Sequence, residues 1–145
     1  MASYSSNYLL HKDPLVAISN NTGQTAPVQF ADLRAIFRNS IFWSDGGAVE
    51  DEMPVSKQGT NAFLLRFDNC LIKGKADPAS STTMNMIRNQ DPLFDSIDVS
   101  KPVFNFRLKT NSPALNKGVA TSTTLDLNGL PRPVGIPDLG AYEKQ

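Results

Sequence analysis

Several groups of residues are of types that do chemistry elsewhere, and each carries a plain structural reading beside the chemical one. Glu50, Asp51 and Glu52 are consecutive carboxylates of the kind that hold a divalent cation, but no further carboxylate recurs at ligand spacing, which favours a solvated loop face. Asp126-Leu127-Asn128-Gly129 opens like a calcium loop, yet the position that needs a bidentate acid falls on Pro137, so the run reads as a turn. Asp138 and Glu143 are of ligand type, but in a compact segment such carboxylates accept hydrogen bonds from backbone N–H groups or pair with a cation such as Arg132. No metal site and no cofactor is expected on these grounds. Cys70 is the one cysteine, which excludes an internal disulfide; with no His at motif spacing it reads as a structural thiol on the outer side of a strand. Trp43 and Phe42 stand at the edge of Asp45-Gly46-Gly47, where an exposed aromatic stacks well on a sugar ring; packing into the core or against the loop is the alternative. Asn20-Asn21-Thr22 fits a glycosylation sequon, a pattern too common to decide anything.

Short strands must position these residues. Ten prolines and nine glycines are scattered so that few stretches of helix length escape a breaker. With 40% hydrophobic and only 19% charged residues in 145, the chain is able to bury a core, and its length suits one domain. Fourteen basic residues balance fourteen acidic ones, which removes a generally basic surface, so nucleic acid is not an expected partner. No apolar run approaches the roughly 20 residues of a membrane helix. The opening Met1-Ala2-Ser3-Tyr4-Ser5-Ser6 has neither a basic nor an apolar region of export-signal type, so a secreted protein would carry this sequence as a mature or truncated piece.

An internal repeat organises the middle of the chain. Leu33 to Phe42 aligns with Phe63 to Ile72 at a constant offset of 30: Leu33 with Phe63, Ala35 with Leu65, Phe37 with Phe67, Asn39 with Asn69, Ile41 with Leu71. Like matches like at every second position, which predicts two strands stacked in register with one face buried. The off-face pair Arg38 and Asp68 makes an exposed salt bridge of little worth. Val16-Ala17-Ile18-Ser19-Asn20 is a weaker third copy, set under Ala35, Phe37 and Asn39 at an offset of 19. Val28 to Asp45 taken alone also fits an amphipathic helix; the second copy, rich in apolar and aromatic residues, favours strands. Asp45 to Thr60 and Lys73 to Thr83 read as loops, Met84 to Asn89 follows, Phe104, Phe106 and Leu108 alternate as a final strand, and closely spaced turns complete the chain.

Asp91-Pro92-Leu93-Phe94, Phe106-Arg107-Leu108, Asn111 to Gly118, Asp126 to Pro133 and Asp138-Leu139-Gly140-Ala141-Tyr142-Glu143, in that order, resemble the C-terminal end of right-handed parallel β-helix proteins of the pectate-lyase-like superfamily. The likeness is greatest to bacterial surface proteins with a choice-of-anchor Q domain. It reaches back through the two Asn-centred copies to about Leu33; residues 1–32 fit less distinctly. The resemblance implies an all-β, right-handed parallel β-helix: a short solenoid of about three to four coils over residues 1–106 and a loop-rich C-terminal cap over 107–145, in one domain, with Asn39 and Asn69 stacking at a bend. So few coils suggest a fragment of a longer protein or else an unusually short relative; either way the first coil is covered by Ser3 to Leu10, by missing sequence or by another molecule, self-association included.

Relatives of this kind include polysaccharide lyases and polygalacturonases, so their working residues are worth seeking. A lyase base of Lys or Arg type is available in Arg34, Arg66, Lys73 or Arg107, but none has two acids at matching positions on neighbouring coils. Of the polygalacturonase pattern only Arg107-Leu108-Lys109 is present, and His11 is followed by Lys12 rather than Gly. The resemblance therefore implies a non-catalytic, extracytoplasmic segment of a surface or secreted protein, with polysaccharide as the partner met by its loops and Trp43 and Phe42 as contacts. The alternative is the end of a lyase or glycosidase whose catalytic coils lie upstream.

Overall fold

The computed structural model describes residues 1–4, 11–23, 27–45, 49–101 and 103–145, and over these the protein is all-β, without a helix. In chain order the strands are β1 (Ala2–Tyr4), β2 (Ile18–Ser19), β3 (Leu33–Arg38), β4 (Ile41–Asp45), β5 (Val55–Ser56), β6 (Phe63–Asp68), β7 (Leu71–Ile72), β8 (Thr82–Met84), β9 (Ile87–Arg88), β10 (Phe94–Asp98) and β11 (Val103–Leu108). They form four small sheets, of order β1-β4-β7-β9, β3-β6-β8, β2-β5 and β10-β11; the first three are parallel and the last is antiparallel.

A recurring unit of strand, two-residue bend opened by a left-handed Asn, and strand builds the two largest sheets. β3 leads through Asn39 (φ 51°) to β4, β6 through Asn69 (φ 54°) to β7, and β8 through Asn85 (φ 53°) to β9. Asn suits the bend because its short polar side chain tolerates the left-handed region that most side chains avoid. β3 and β6 pair from Leu33↔Phe63 to Arg38↔Asp68, and β4 and β7 at Ile41↔Leu71 and Phe42↔Ile72. These are the positions that the repeat aligns. The third unit pairs Phe67↔Thr83 and Leu71↔Ile87, at an offset of 16, because the connection before β8 is shorter.

Each bend shifts the phase of the side chains. Leu65 and Phe67 of β6 point into one core with Cys70 and Ile72, whereas Leu71 points into a second core on the other side of its sheet. Strict alternation carried across Asn69 puts Leu71 inside with Phe67 and Cys70 outside; the structure corrects both, since alternation holds only within a continuous strand. Cys70 is fully buried. In the first core the rings of Phe37 and Phe67 stack at 5.0 Å and 9°, and Phe42 meets both edge-on.

Val16 to Asn20 departs from the expected third copy. Ile18 and Ser19 pair with Val55 and Ser56 rather than with β3, forming a separate sheet, and Ile18 enters the first core. Ser3 and Tyr4 continue β1, which covers the edge of β4 at Ala2↔Trp43 to Tyr4↔Asp45; Ser5 to Leu10 lie outside the described residues.

The second core is closed by the C-terminal part of the chain. Phe94, Leu108, Ala114 and Leu139 pack with Ile41 and Leu71 on the outer face of β4 and β7, joined by Trp43, Ile87 and Phe106. This segment therefore seals the face of a sheet. β11 pairs antiparallel with β10, so the boundary placed between 106 and 107 falls inside a strand. No helix among the described residues is long and apolar enough to cross a membrane.

Candidate functional site

The two aromatics expected at a loop edge part company. Phe42 is 3% exposed and belongs to the first core, so the structure removes it as a ligand contact. Trp43, the next residue on the strand, points to the opposite face and is half-buried against the second core. Its backbone N–H donates to Met1 O at 3.1 Å. Gly46 and Gly47 lie outside the described residues.

Asn39 and Asn69 occupy equivalent bends, but their amides do not run along the stack as a mutual ladder. Asn39 Nδ2 donates to Val119 O (2.7 Å) and its Oδ1 accepts from Val119 N (2.9 Å), while Asn69 Nδ2 donates to Lys117 O (2.6 Å). Both bends are buried under residues 117–119. Gly118 sits between them because a Cβ there would lie 2.8 Å from Pro137 O and 3.1 Å from Asn39 Cγ. Asn85, at the third bend, is exposed.

The acidic triplet is divided among three tasks. Glu50 pairs with Lys75 at the surface, and Asp51 Oδ1 accepts from Met53 N at 3.1 Å. Glu52 has no exposed surface, contrary to the solvated face read from the sequence. Its Oε1 accepts from the Ser44 hydroxyl, and its Oε2 accepts from Leu15 N (3.0 Å) and lies 3.0 Å from His11 Nε2. Lys73 Nζ donates to Ser44 O at 3.1 Å and lies 3.4 Å from Ser44 Oγ. Ser, Lys, Glu and His within reach of one another resemble a nucleophile with its bases. Ser44 is 1% exposed, however, and both Glu52 oxygens are occupied, so the arrangement ties residues 11–15 and Lys73 to β4. Nothing in the sequence announced this: Ser44, Glu52 and Lys73 come together only through the pairing of β4 with β7.

The basic residues sought for lyase chemistry are also spoken for or stand alone. Arg38 and Arg66 share Asp68, with Nε to carboxylate distances of 3.3 and 2.6 Å. The pair is exposed on the arginine side alone, since both guanidinium-bearing side chains are half-exposed and Asp68 is 2% accessible. Burial pushes its carboxyl up, but the hydrogen bonds from Arg66 and Arg38 with their charges outweigh this and hold it below the usual range. Arg107 lies over the ring of Tyr142, 5.0 Å from its centroid. Arg34 is exposed on β3.

The C-terminal carboxylates hold the backbone. Asp126 Oδ1 accepts from Asn128 N (2.8 Å) and Leu130 N (3.0 Å), closing the turn at Gly129, and Oδ2 accepts from Glu143 N (3.2 Å). Burial raises this carboxyl, and the three N–H groups with the Arg107 charge more than reverse the effect, leaving it lowered. Asp138 accepts from Asn116 N (2.7 Å) and Lys144 N (2.8 Å). Glu143 accepts from Val134 N and Asp138 N and pairs with the partly buried Arg132 at 3.4 Å. Among the described residues no group of three His, Cys, Asp or Glu side chains is placed to hold a metal ion. Burial pushes the Cys70 thiol up to about 11.

No family model matches the chain, and no curated protein or solved structure is significantly similar to it.

Proposed function

We propose that the chain forms coils of a right-handed parallel β-helix of the pectate-lyase-like kind, similar to choice-of-anchor Q surface proteins, and serves as a non-catalytic, extracytoplasmic segment that meets polysaccharide through its loops. The observation that carries this reading is the growth of two parallel sheets in step, β3-β6-β8 and β4-β7-β9, through a left-handed Asn at each bend. Each return to the same sheet after a crossover favours the right hand, as parallel connections do generally. The non-catalytic part is supported by the arginines on Asp68 and by the enclosed Ser44. Trp43 is the remaining aromatic contact at the edge of the 45–52 connection.

A glycan array probed with the whole chain tests the reading, together with incubation of the chain with uronate polymers. The expected result is binding without release of unsaturated sugar ends, weakened in a folded Trp43→Ala variant. Absence of binding to any glycan overturns the polysaccharide part, and cleavage of the polymer overturns the non-catalytic part.

A further inference from the structure

β3 is an edge strand: among the described residues it pairs with β6 alone. In an extended strand each residue turns its N–H and C=O to one side. Leu33 N and Asn39 N donate to Ala62 O (2.8 Å) and Asp68 O (3.2 Å), so the alternate residues Arg34, Ile36 and Arg38 turn their backbone groups to the open edge. The inner row beside that edge is half finished. Leu65 and Phe67 of β6 are buried, whereas Leu33, Ala35 and Phe37 of β3 stay half-exposed. In the adjoining sheet the same level is filled, because β1 lies on β4.

A second copy stacked end to end does not fit this place. Its β8 would reach β3 only if its β9 took the position that β1 holds. A single strand does fit. We propose that β3 accepts, by parallel strand addition, one extended segment of a partner protein that is apolar where it meets Leu33, Ala35 and Phe37 and acidic where it meets Arg34 and Arg38. β6 shows the required pattern from the other side, presenting Phe63, Leu65 and Phe67 inward and Asp68 to Arg38. The charge of the edge selects the acid: Arg34 forms no ion pair among the described residues, and Arg38 is half-exposed beyond its contact with Asp68. A cleft of about 340 Å³ lined by Ile36, Arg38, Thr121 and Thr123 leaves room for a carboxylate there.

Fluorescence anisotropy of the whole chain with two labelled hexapeptides tests the proposal. Both alternate Phe or Leu with polar residues; one carries Asp at its second and sixth positions and the other carries Lys. The expected result is saturable binding, about tenfold tighter for the Asp peptide. Ile36→Pro removes an N–H from the open edge and leaves the bonds to β6, so it should weaken binding by about tenfold or more. Arg34→Glu, an exposed change that leaves the backbone intact, should reverse the preference between the peptides. Failure of wild type to bind either peptide, equal binding by a folded Ile36→Pro variant, or an unchanged preference after Arg34→Glu overturns the proposal.

Discussion

The parallel layers and the C-terminal segment are held by opposite means. Between β3 and β9 the chain repeats a pattern, and apolar side chains from successive passes meet like on like, as Phe37 does Phe67. From Ala114 onward there is no strand among the described residues, and buried carboxylates accept backbone N–H groups from other turns of the same segment: Asp126 from Glu143, Asp138 from Asn116 and Lys144, Glu143 from Val134. The layers gain from area removed from water and from a continuous ladder. The segment gains from charge-assisted hydrogen bonds that leave few buried donors unmet. The two meet along the bends, where Lys117 and Val119 take the amides of Asn69 and Asn39 and Gly140 N donates to Asn39 O at 2.7 Å.

Substitutions should separate the two regimes. Phe67→Ala, which opens a cavity at a fully buried ring, is expected to cost about 3–5 kcal/mol, read as a fall in the urea midpoint of the whole chain. Asp138→Ala strands two N–H groups and should cost about 2–3 kcal/mol; amide exchange should rise around Asn116 and Lys144 before it rises in β6. If both substitutions melt the chain in a single transition with uniform exchange, the division between the two regions is lost. At the exposed third bend Asn85→Ala should cost about 1 kcal/mol from its φ of 53°, and Asn85→Gly much less.

The pH dependence sharpens the same contrast. The Cys70 thiol has its proton held more tightly in the fold, up to about 11 against 9.0 for the free group, so the unfolded chain releases it first. Stability supplied by the layers should therefore be whole below pH 9.0 and fall as pH rises toward 11, and Cys70→Ala should flatten that limb. Asp126 and Asp68 are lowered, so their contribution is present above the ordinary value of 3.8 and is lost as pH falls through the folded value. Asp126→Asn should flatten part of the acid limb of a urea titration, with the Asp68 share remaining, and leave the alkaline limb unchanged.

The repeat was legible because β3 and β6 carry the same residue types at the same spacing, and its offset is the register of the strands. The third unit was not, because Thr83 stands where the second unit has Phe67 and the connection before it is shorter; the Asn at its bend was the surviving mark. Val16 to Asn20 resembled a copy by alternation alone, and so few residues specify no partner. Cys70 and Leu71 were placed on the wrong sides since a left-handed residue resets the alternation, an effect that residue type does not show. The roles of Asp138 and Glu143 could be read as backbone acceptors, whereas the burial of Glu52 depends on the pairing of distant strands. Phe42 and Trp43 are adjacent, so the strand sends them to different faces whatever their shared type.

The register of β3 on β6 underlies everything above, and a cross-linking pair reads it directly. Arg34 and Leu64 are paired on the exposed face of neighbouring strands, which lie about 4.8 Å apart and within disulfide reach. Under mild oxidation Arg34→Cys with Leu64→Cys should form an internal disulfide, and Arg34→Cys with Arg66→Cys, displaced by two residues, should not. Equal oxidation of both variants, or a bond in the displaced pair alone, would contradict the parallel register.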